Sequence, residues 1–454
     1  MTSAATATAL LERLAALAAD QVARDRWTRE QLLAHQRSRL RALIAHATSA
    51  SDYYRETLGP GAVDKPLSEL PTLTKATLME QWDRIVCDRR LRLAAVQEHV
   101  AGPTATDPYL GEFHVFSTSG ASGLRGLFVY DLRDWETSAA VALRAAARGG
   151  AAPETRIATV GAPDGVHSSR RVYEVVRGAR GDAPNLSVLT PLDEIVEALN
   201  DYQPEALYGY SSMGALLADE QLRGCLDIAP RLLAFGSEPL TEAMRERIRA
   251  AWGSDPAEYY VSTEAFVIAC STTAHPRTLD VFEDMVIVEV VDEHDRPVAP
   301  GTAGAKVLIT NLENSTQPLI RYELSDRVVM GSGPSPSGGP YAHVTHIEGR
   351  AADVLVFPGA AGGRVAVQPL ELGAPFARLP EVRQFQIVRD PDRLQVRVML
   401  DPGAAAGTAQ RIRAVVADTL AGAGAVVPAI EVTTVAELER EPGPAAKLKL
   451  IVAR

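Results

Sequence analysis

Cysteine is scarce in this chain of 454 residues, and both long apolar runs and an excess of basic charge are absent. Cys87, Cys225 and Cys270 lie far apart and form no C-x-x-C pair, which indicates reduced thiols and not disulfides. The net charge of −11 argues against binding of nucleic acid, because that needs a basic surface. No run approaches the roughly 20 apolar residues of a membrane span. We therefore expect a cytoplasmic monomer or homodimer without nucleic-acid or membrane partners.

The spacing of apolar residues predicts an α/β protein. Residues 8–50 repeat Leu and Ala at helical spacing, which predicts helices at the start of the chain. From about residue 113, short β-rich runs alternate with helical stretches, a pattern typical of parallel sheets covered by helices. Apolar runs at 285–291 and 305–310, joined by a polar turn, predict antiparallel β-structure, with a further strand at 319–322.

A smaller unit is predicted to follow Gly349-Arg350, with strands and one helix in about 105 residues, enough for an independent α+β domain. The chain is therefore divided into two units. Residues 1–348 are predicted to form a large unit with helix-flanked mixed and parallel sheets and an antiparallel β-subdomain. Residues 349–454 are predicted to form a small, mobile α+β unit.

One loop has the composition of an anion site. It lies between the β-rich run at 114–116 and the apolar run at 127–129. Its glycines allow tight turns, its hydroxyls donate hydrogen bonds, and consecutive backbone N–H groups form an anion-binding concavity. It lacks the Gly-Lys-Ser/Thr ending of a Walker A loop. A ligand-free Gly/Ser turn is the alternative. The candidate phosphate-binding residues are Ser117, Thr118, Ser119, Gly120, Ser122 and Gly123.

Five segments in order resemble the motifs of the adenylate-forming superfamily, which includes acyl-CoA synthetases and nonribosomal adenylation domains. The resemblance covers essentially the whole chain. The segment Phe235–Leu240 resembles the phenylacetate–CoA ligase-like branch, and residues 286–322 most resemble its capsular-polysaccharide-type members. The five segments are Thr118–Gly123, Tyr260–Glu264, Arg321–Asp326, Gly349–Asp353 and Gly443–Lys447.

The resemblance implies an ATP-dependent, AMP-forming ligase that adenylates a small carboxylic acid, aromatic acids included, and transfers the acyl group to CoA or an amine. Because a carboxylate and ATP are both anions, charge neutralisation and positioning dominate such a reaction. By the resemblance, Glu264 would hold Mg²⁺ and Thr263 would bind phosphate. Tyr260 would stack on adenine, and Asp326 would accept hydrogen bonds from the ribose hydroxyls.

Further residues are assigned by the same resemblance. Gly236, Ser237 and Glu238 would line the adenine edge. Arg350 would reach the ribose or phosphate side, and Lys447 would bring a mobile positive charge to the α-phosphate and the attacking carboxylate.

Three positions depart from the family pattern. Gly126 stands where many members carry a phosphate-loop lysine, with Arg125 beside it. Val261 replaces the usual glycine, and Ala352 replaces the first acid of the hinge. The loss at Ala352 leaves adenylation possible, but it puts the usual rotation toward CoA in doubt.

The acyl pocket is the least specified part of the site. His167 and the segment Tyr208-Gly209-Tyr210 are candidate substrate residues, and core roles are an equal alternative for each. A second enzyme hypothesis is a diazotase-type enzyme that activates nitrite with ATP and delivers it to an aryl amine. A third is a catalytically degenerate relative that binds nucleotide only.

Overall fold

The computed structural model describes residues 4–453, with short gaps. Ser119, Gly120, Ser122 and Gly123 of the candidate loop lie outside the described residues, as does Ala352 of the candidate hinge. The gaps are 119–124, 164, 179–182, 351–353, 368–371, 374–375, 377–378, 380, 405–406 and 442–445.

The beginning of the chain is helical, as the Leu/Ala repeat predicts. Thr28 begins the second helix with a capping box: its side chain accepts the N–H of Gln31, and the Gln31 side chain accepts the N–H of Thr28. The helices before the first strand are α1 (Ala4–Arg24), α2 (Arg29–Ala50), α3 (Asp52–Leu58), α4 (Lys75–Glu80), α5 (Trp82–Ile85) and α6 (Leu93–Ala101), with short 3₁₀ turns at Ala62–Asp64 and Leu67–Glu69.

Strands and helices then alternate, and the predicted β-rich runs are confirmed. The strands are β1 (Phe113–Ser117), β2 (Leu127–Asp131), β3 (Ile157–Gly161), β4 (Asn185–Ser187), β5 (Ala206–Tyr210), β6 (Leu232–Gly236), β7 (Ala257–Ser262), β8 (Phe266–Cys270), β9 (Leu279–Val281), β10 (Val286–Val291), β11 (Lys306–Asn311), β12 (Tyr322–Leu324), β13 (Asp326–Met330) and β14 (His343–Arg350). The helices among them are α7 (Leu132–Arg148), α8 (Ser168–Gly178), α9 (Leu192–Tyr202), α10 (Ser211–Leu222) and α11 (Glu242–Trp252).

Nine of these strands form one mixed sheet within the described residues, in the order β13-β14-β9-β8-β7-β6-β5-β3-β4. The strands from β4 to β7 run parallel, and those from β7 to β13 run antiparallel. Residues of α9, α10 and α11 pack on one face of the parallel half, and Ala146 of α7 packs on the other. Helices therefore cover both faces, as the alternating pattern predicts.

The predicted strand at 319–322 is wrong in its position. Arg321 has a left-handed backbone with a φ of 50°, which interrupts the extended conformation, so β12 begins only at Tyr322. It joins β10 and β11 in an antiparallel sheet, which confirms the predicted antiparallel structure.

The last hundred residues have a core of their own, with buried residues from Leu355 to Ile451. The boundary between the two units at residue 348 stays a prediction. Strand β14 continues past it and pairs with β13 as far as Arg350. Among the described residues, no helix is long and apolar enough to cross a membrane. The elements of this part are β15 (Leu355–Pro358), β16 (Arg364–Val367), β17 (Val382–Arg389), β18 (Arg393–Leu400), α12 (Thr408–Gly422), β19 (Ala429–Thr434) and β20 (Ile451–Ala453).

Candidate functional site

The candidate residues of the large unit lie at the carboxyl ends of adjacent parallel strands. Tyr210 ends β5 and is in register with Gly236, which ends β6. Gly236 is in register with Tyr259 of β7, whose neighbour Tyr260 is a candidate adenine residue. In open α/β sheets, ligands bind beyond the carboxyl ends of the parallel strands. The topology therefore brings segments that are distant in sequence to one edge of the sheet.

Tyr260, Asp326 and Arg350 form a connected group from three strands of the large sheet, β7, β13 and β14. The Tyr260 hydroxyl donates to Oδ2 of Asp326 at 2.9 Å. Arg350 is in register with Asp326, and its Nε lies 3.7 Å from Oδ1 of the same carboxylate. The sheet thus fixes the orientation of Asp326 and leaves a cation beside it. A carboxylate held in this way can accept hydrogen bonds from a vicinal diol.

Glu264 has the properties of a cation ligand. Its backbone carbonyl accepts the Tyr130 hydroxyl at 2.8 Å and the Asn311 amide at 2.9 Å, which fixes the turn between β7 and β8. Within the described residues, its buried carboxylate has no ion pair and no hydrogen-bond donor. The same part of the chain has no cluster of three metal-ligating side chains. A single carboxylate suits Mg²⁺, which is usually held by one or two carboxylates together with substrate phosphates and water.

Hydrogen bonds fix the two described ends of the candidate phosphate loop. The Ser117 hydroxyl donates to the carbonyl of Thr118 at 3.2 Å, and Oγ1 of Thr118 accepts the Gly126 N–H at 2.8 Å. A Cβ atom at Gly126 would lie 2.8 Å from Cε2 of the buried Phe128 ring. A lysine at this position would therefore require the Phe128 ring to shift, so the packing here is matched to glycine.

Glu238 contacts both α10 and the C-terminal segment, and its role at the adenine edge stays a prediction. Its side chain is only 3% exposed, and Oε2 accepts the N–H of Ser212 at 3.1 Å. Oε1 accepts the N–H of Leu448 and lies 3.6 Å from Nη1 of Arg440. The carboxylate therefore contacts the C-terminal segment.

Lys447 lies among charged groups of both units. Burial, and then the nearby Arg350 guanidinium, lower the pKa of Lys447 to about 8, while Glu238, Glu441 and Asp326 act in the opposite direction. The Glu441 N–H donates to the Lys447 carbonyl at 2.9 Å, which fixes the backbone. The C-terminal lysine is therefore next to the ribose candidate Asp326 and the cation Arg350.

His167 is buried beside Lys447. Burial and the nearby ammonium lower the pKa of His167 to about 3, so the imidazole is neutral at physiological pH. Its Nδ1 lies 2.8 Å from the Ser169 hydroxyl. A neutral imidazole can orient a substrate anion by hydrogen bonding without adding charge.

The segment from Tyr208 to Tyr210 has clear structural constraints. The ring of Tyr208 packs edge-on against Tyr259 with centroids 6.1 Å apart. A Cβ atom at Gly209 would lie 2.1 Å from the carbonyl oxygen of Val160, so β3 and β5 pair closely only with glycine there. These contacts account for Tyr208 and Gly209 as core residues. Roles in substrate binding stay predictions.

The small unit docks on α10 and α11 through ion pairs. Arg383 of β17 pairs with Glu220 at 2.7 Å and with Asp219 at 3.4 Å. Arg247 of α11 donates to the carbonyls of Val382 and Arg383. These four side chains were not predicted from the sequence, and neither were Ser212 and Arg440. Their contacts go to main-chain atoms or to distant acids, so no local motif marks them.

No protein-family model matches the chain. In sequence it is similar to the phenylacetate-coenzyme A ligase of Thermus thermophilus, with 25% identity over 383 residues, 79% of this chain and 78% of the relative. In structure it is similar to 2-hydroxyisobutyryl-CoA ligase in the postadenylation state in complex with R3-HIB-AMP, with a TM-score of 0.74, 20% identity, and 92% and 89% of the two chains covered. Against that ligase with 2-HIB-AMP and CoA in the thioesterification state, the TM-score is 0.61, with 21% identity and 95% and 91% covered.

These comparisons confirm the predicted resemblance to the adenylate-forming superfamily and its phenylacetate–CoA ligase-like branch. They also confirm the predicted α/β fold. The likeness to capsular-polysaccharide-type members stays a prediction.

Proposed function

We propose that this chain is an ATP-dependent, AMP-forming ligase that adenylates a small carboxylic acid and transfers the acyl group to CoA. The observation that carries the proposal is that the Lys447 segment reaches the carboxyl ends of the parallel strands, where the Leu448 N–H donates to Glu238 just after β6, with Lys447 in electrostatic range of Asp326 and Arg350. The similarity to phenylacetate-coenzyme A ligases over most of the chain supports the same reaction class. A phenylacetate-like aryl acid is the first substrate to test.

The chain's own residues would divide the work as follows. Asp326, held by Tyr260, would accept the ribose hydroxyls, and the Thr118 end of the loop would face the phosphates. Lys447 and Arg350 would neutralise the charge that accumulates as the carboxylate attacks the α-phosphorus. Glu264 would hold Mg²⁺, which would supply positive charge against the phosphates.

Acid-dependent ATP–pyrophosphate exchange tests this proposal. We expect exchange with one member of a panel of aryl and short aliphatic acids, and formation of the acyl thioester after CoA is added. Lys447→Ala should slow exchange by about 10²- to 10³-fold. Lys449→Ala, which removes the same charge two residues further on, should retain it.

Two other outcomes would contradict the proposal. Nucleotide binding without exchange on any acid would identify a degenerate relative. AMP release that requires both nitrite and an aryl amine would identify a diazotase. The relatives and solved structures named here are CoA ligases of carboxylic acids, so nitrite is included only as an alternative substrate in the assay.

A further inference from the structure

We propose that Glu238 is a positioning residue that holds the Lys447 segment in the site and couples the segment 236–238 to docking of the small unit. The inference rests on the proposed function, in which Lys447 acts on the α-phosphate. Glu238 follows the end of β6 in the large unit, whereas the groups it contacts at Arg440 and Leu448 lie in the C-terminal segment. A single buried carboxylate therefore joins the two units next to the reactive lysine.

Each carboxylate oxygen of Glu238 accepts a hydrogen bond from a different unit. Oε2 accepts the N–H of Ser212, the second residue of α10, and Oε1 accepts the N–H of Leu448. Both partners are backbone donors, and the third, Arg440, also only donates. A glutamine cannot satisfy this arrangement, because its amide nitrogen would face one of the N–H groups. The site thus requires a carboxylate at 238.

The backbone on both sides of the contact is strained. Ser237 and Ala446 have left-handed φ values of 64° and 44°, which non-glycine residues adopt only when surrounding contacts hold them. The Ala446 carbonyl accepts from Nη1 of Arg440 at 3.2 Å, so the same arginine holds the strained segment and faces Glu238. The conformation that presents Lys447 therefore depends on this group of contacts.

The charge of Glu238 also acts on Lys447. Arg350 lowers the pKa of the ammonium, Glu238, Glu441 and Asp326 raise it, and the adjacent His167 is neutral. Removing the Glu238 charge leaves Arg350 opposed by two acids instead of three. The lysine of the variant then loses its proton at a lower pH than that of the parent protein.

The test compares Glu238→Gln with Glu220→Gln. Glu220 also joins the large unit to the small one, through Arg383, but it is not among the groups that shift the pKa of Lys447. Amide hydrogen exchange at Leu448 reports the contact without any turnover. We expect it to become at least about 10-fold faster in Glu238→Gln, from loss of a charge-assisted hydrogen bond, and to rise much less in Glu220→Gln, in which Asp219 still pairs with Arg383.

The second readout is the pH profile of ATP–pyrophosphate exchange. Its alkaline limb should move to lower pH in Glu238→Gln and stay in place in Glu220→Gln. Glu238→Asp keeps the charge on a shorter side chain. It should lose protection of the Leu448 amide, and its alkaline limb should move to lower pH by less than that of Glu238→Gln.

The outcomes separate this inference from the proposed function. Unchanged Leu448 protection in folded Glu238→Gln, or equal changes in the two glutamine variants, would overturn the positioning role. Faster Leu448 exchange in Glu238→Gln alone, in a protein that adenylates no acid, would support the contact and reject the proposed reaction.

Discussion

Lys447 carries its positive charge at an energetic cost, because burial and Arg350 both disfavour the ammonium form. Adenylation needs that charge, so the protonated enzyme is the active one. With a pKa of about 8, Lys447 is protonated below pH 8 and loses its proton above it. We expect kcat/KM for ATP to fall as pH rises through about 8, since this ratio reports the free enzyme.

Lys447→Ala is the control for this alkaline limb, the fall in kcat/KM as pH rises through about 8. The variant should lose about 10²- to 10³-fold in adenylation rate, typical of removing one charge-stabilising group, and its residual rate should lack the limb near pH 8. A limb that persists in Lys447→Ala would assign the titration to another group.

Asp326 gives a second test at the residue scale. Asp326→Asn removes the charge that Tyr260 and Arg350 orient, so the ribose hydroxyls lose a charge-assisted acceptor. We expect KM for ATP to rise by about 10-fold or more, with kcat changed less. Glu348→Gln is the matched control, because Glu348 pairs with Arg327 on the same two strands at 3.0 Å. A KM that rises equally in both variants would refute the ribose assignment.

The candidate residues illustrate what a motif can and cannot predict. The order of segments in the chain predicted that Tyr260, Asp326, Arg350 and Lys447 belong to one site. Contacts join the first three, and the place of Lys447 in that site stays a prediction. The contacts of Glu238 were not predictable, because they join backbone N–H groups that every residue carries. The tight fit of Gly126 against Phe128 depends on packing, which a motif does not contain.

At the scale of elements, a buried ionic group connects α7 to the end of α1 and to the start of β10. Arg144 has no exposed surface and donates to Asp284, also fully buried, at 2.9 Å and to Asp25 at 2.6 Å. Removal of the arginine leaves an acid buried without its main partner. Arg144→Met should therefore lower the free energy of unfolding by roughly 3–5 kcal/mol, measured by urea denaturation.

Arg13→Met is the matched control on the same pair of helices. Arg13 pairs with Glu136 of α7 across the surface, and its side chain is 55% exposed. Exposed pairs contribute little because water and salt screen them. The urea midpoint should stay unchanged in Arg13→Met, and an unchanged midpoint in Arg144→Met would contradict the role of the buried group.

The elements themselves were largely predictable because apolar periodicity follows from burial. The helices at 132–148, 192–202 and 242–252 lie between strands, as the predicted alternation of β-rich runs and helical stretches requires. The start of β12 was not predictable, since it depends on the left-handed backbone of Arg321. Arg321 is held there by distant contacts, including bonds from its guanidinium to the carbonyls of Ser68 and Leu70.

At the scale of the whole molecule, the docked small unit places Lys447 in the candidate site. Under the proposed function, we expect the small unit to move before the acyl group passes to CoA. The ion pairs of Arg383 with Glu220 and Asp219 would oppose that movement. Their strength would then affect the balance between adenylation and transfer.

Arg383→Met weakens the docking without touching Lys447. We expect a larger radius of gyration by small-angle X-ray scattering, a slower adenylation half-reaction, and an unslowed transfer from preformed acyl-adenylate to CoA. Arg393→Met is the control, because Arg393 pairs with Glu431 inside the small unit at 2.8 Å. Scattering and adenylation that match the parent protein in Arg383→Met would show that other contacts hold the small unit. Transfer that slows together with adenylation would show that one docked arrangement serves both steps.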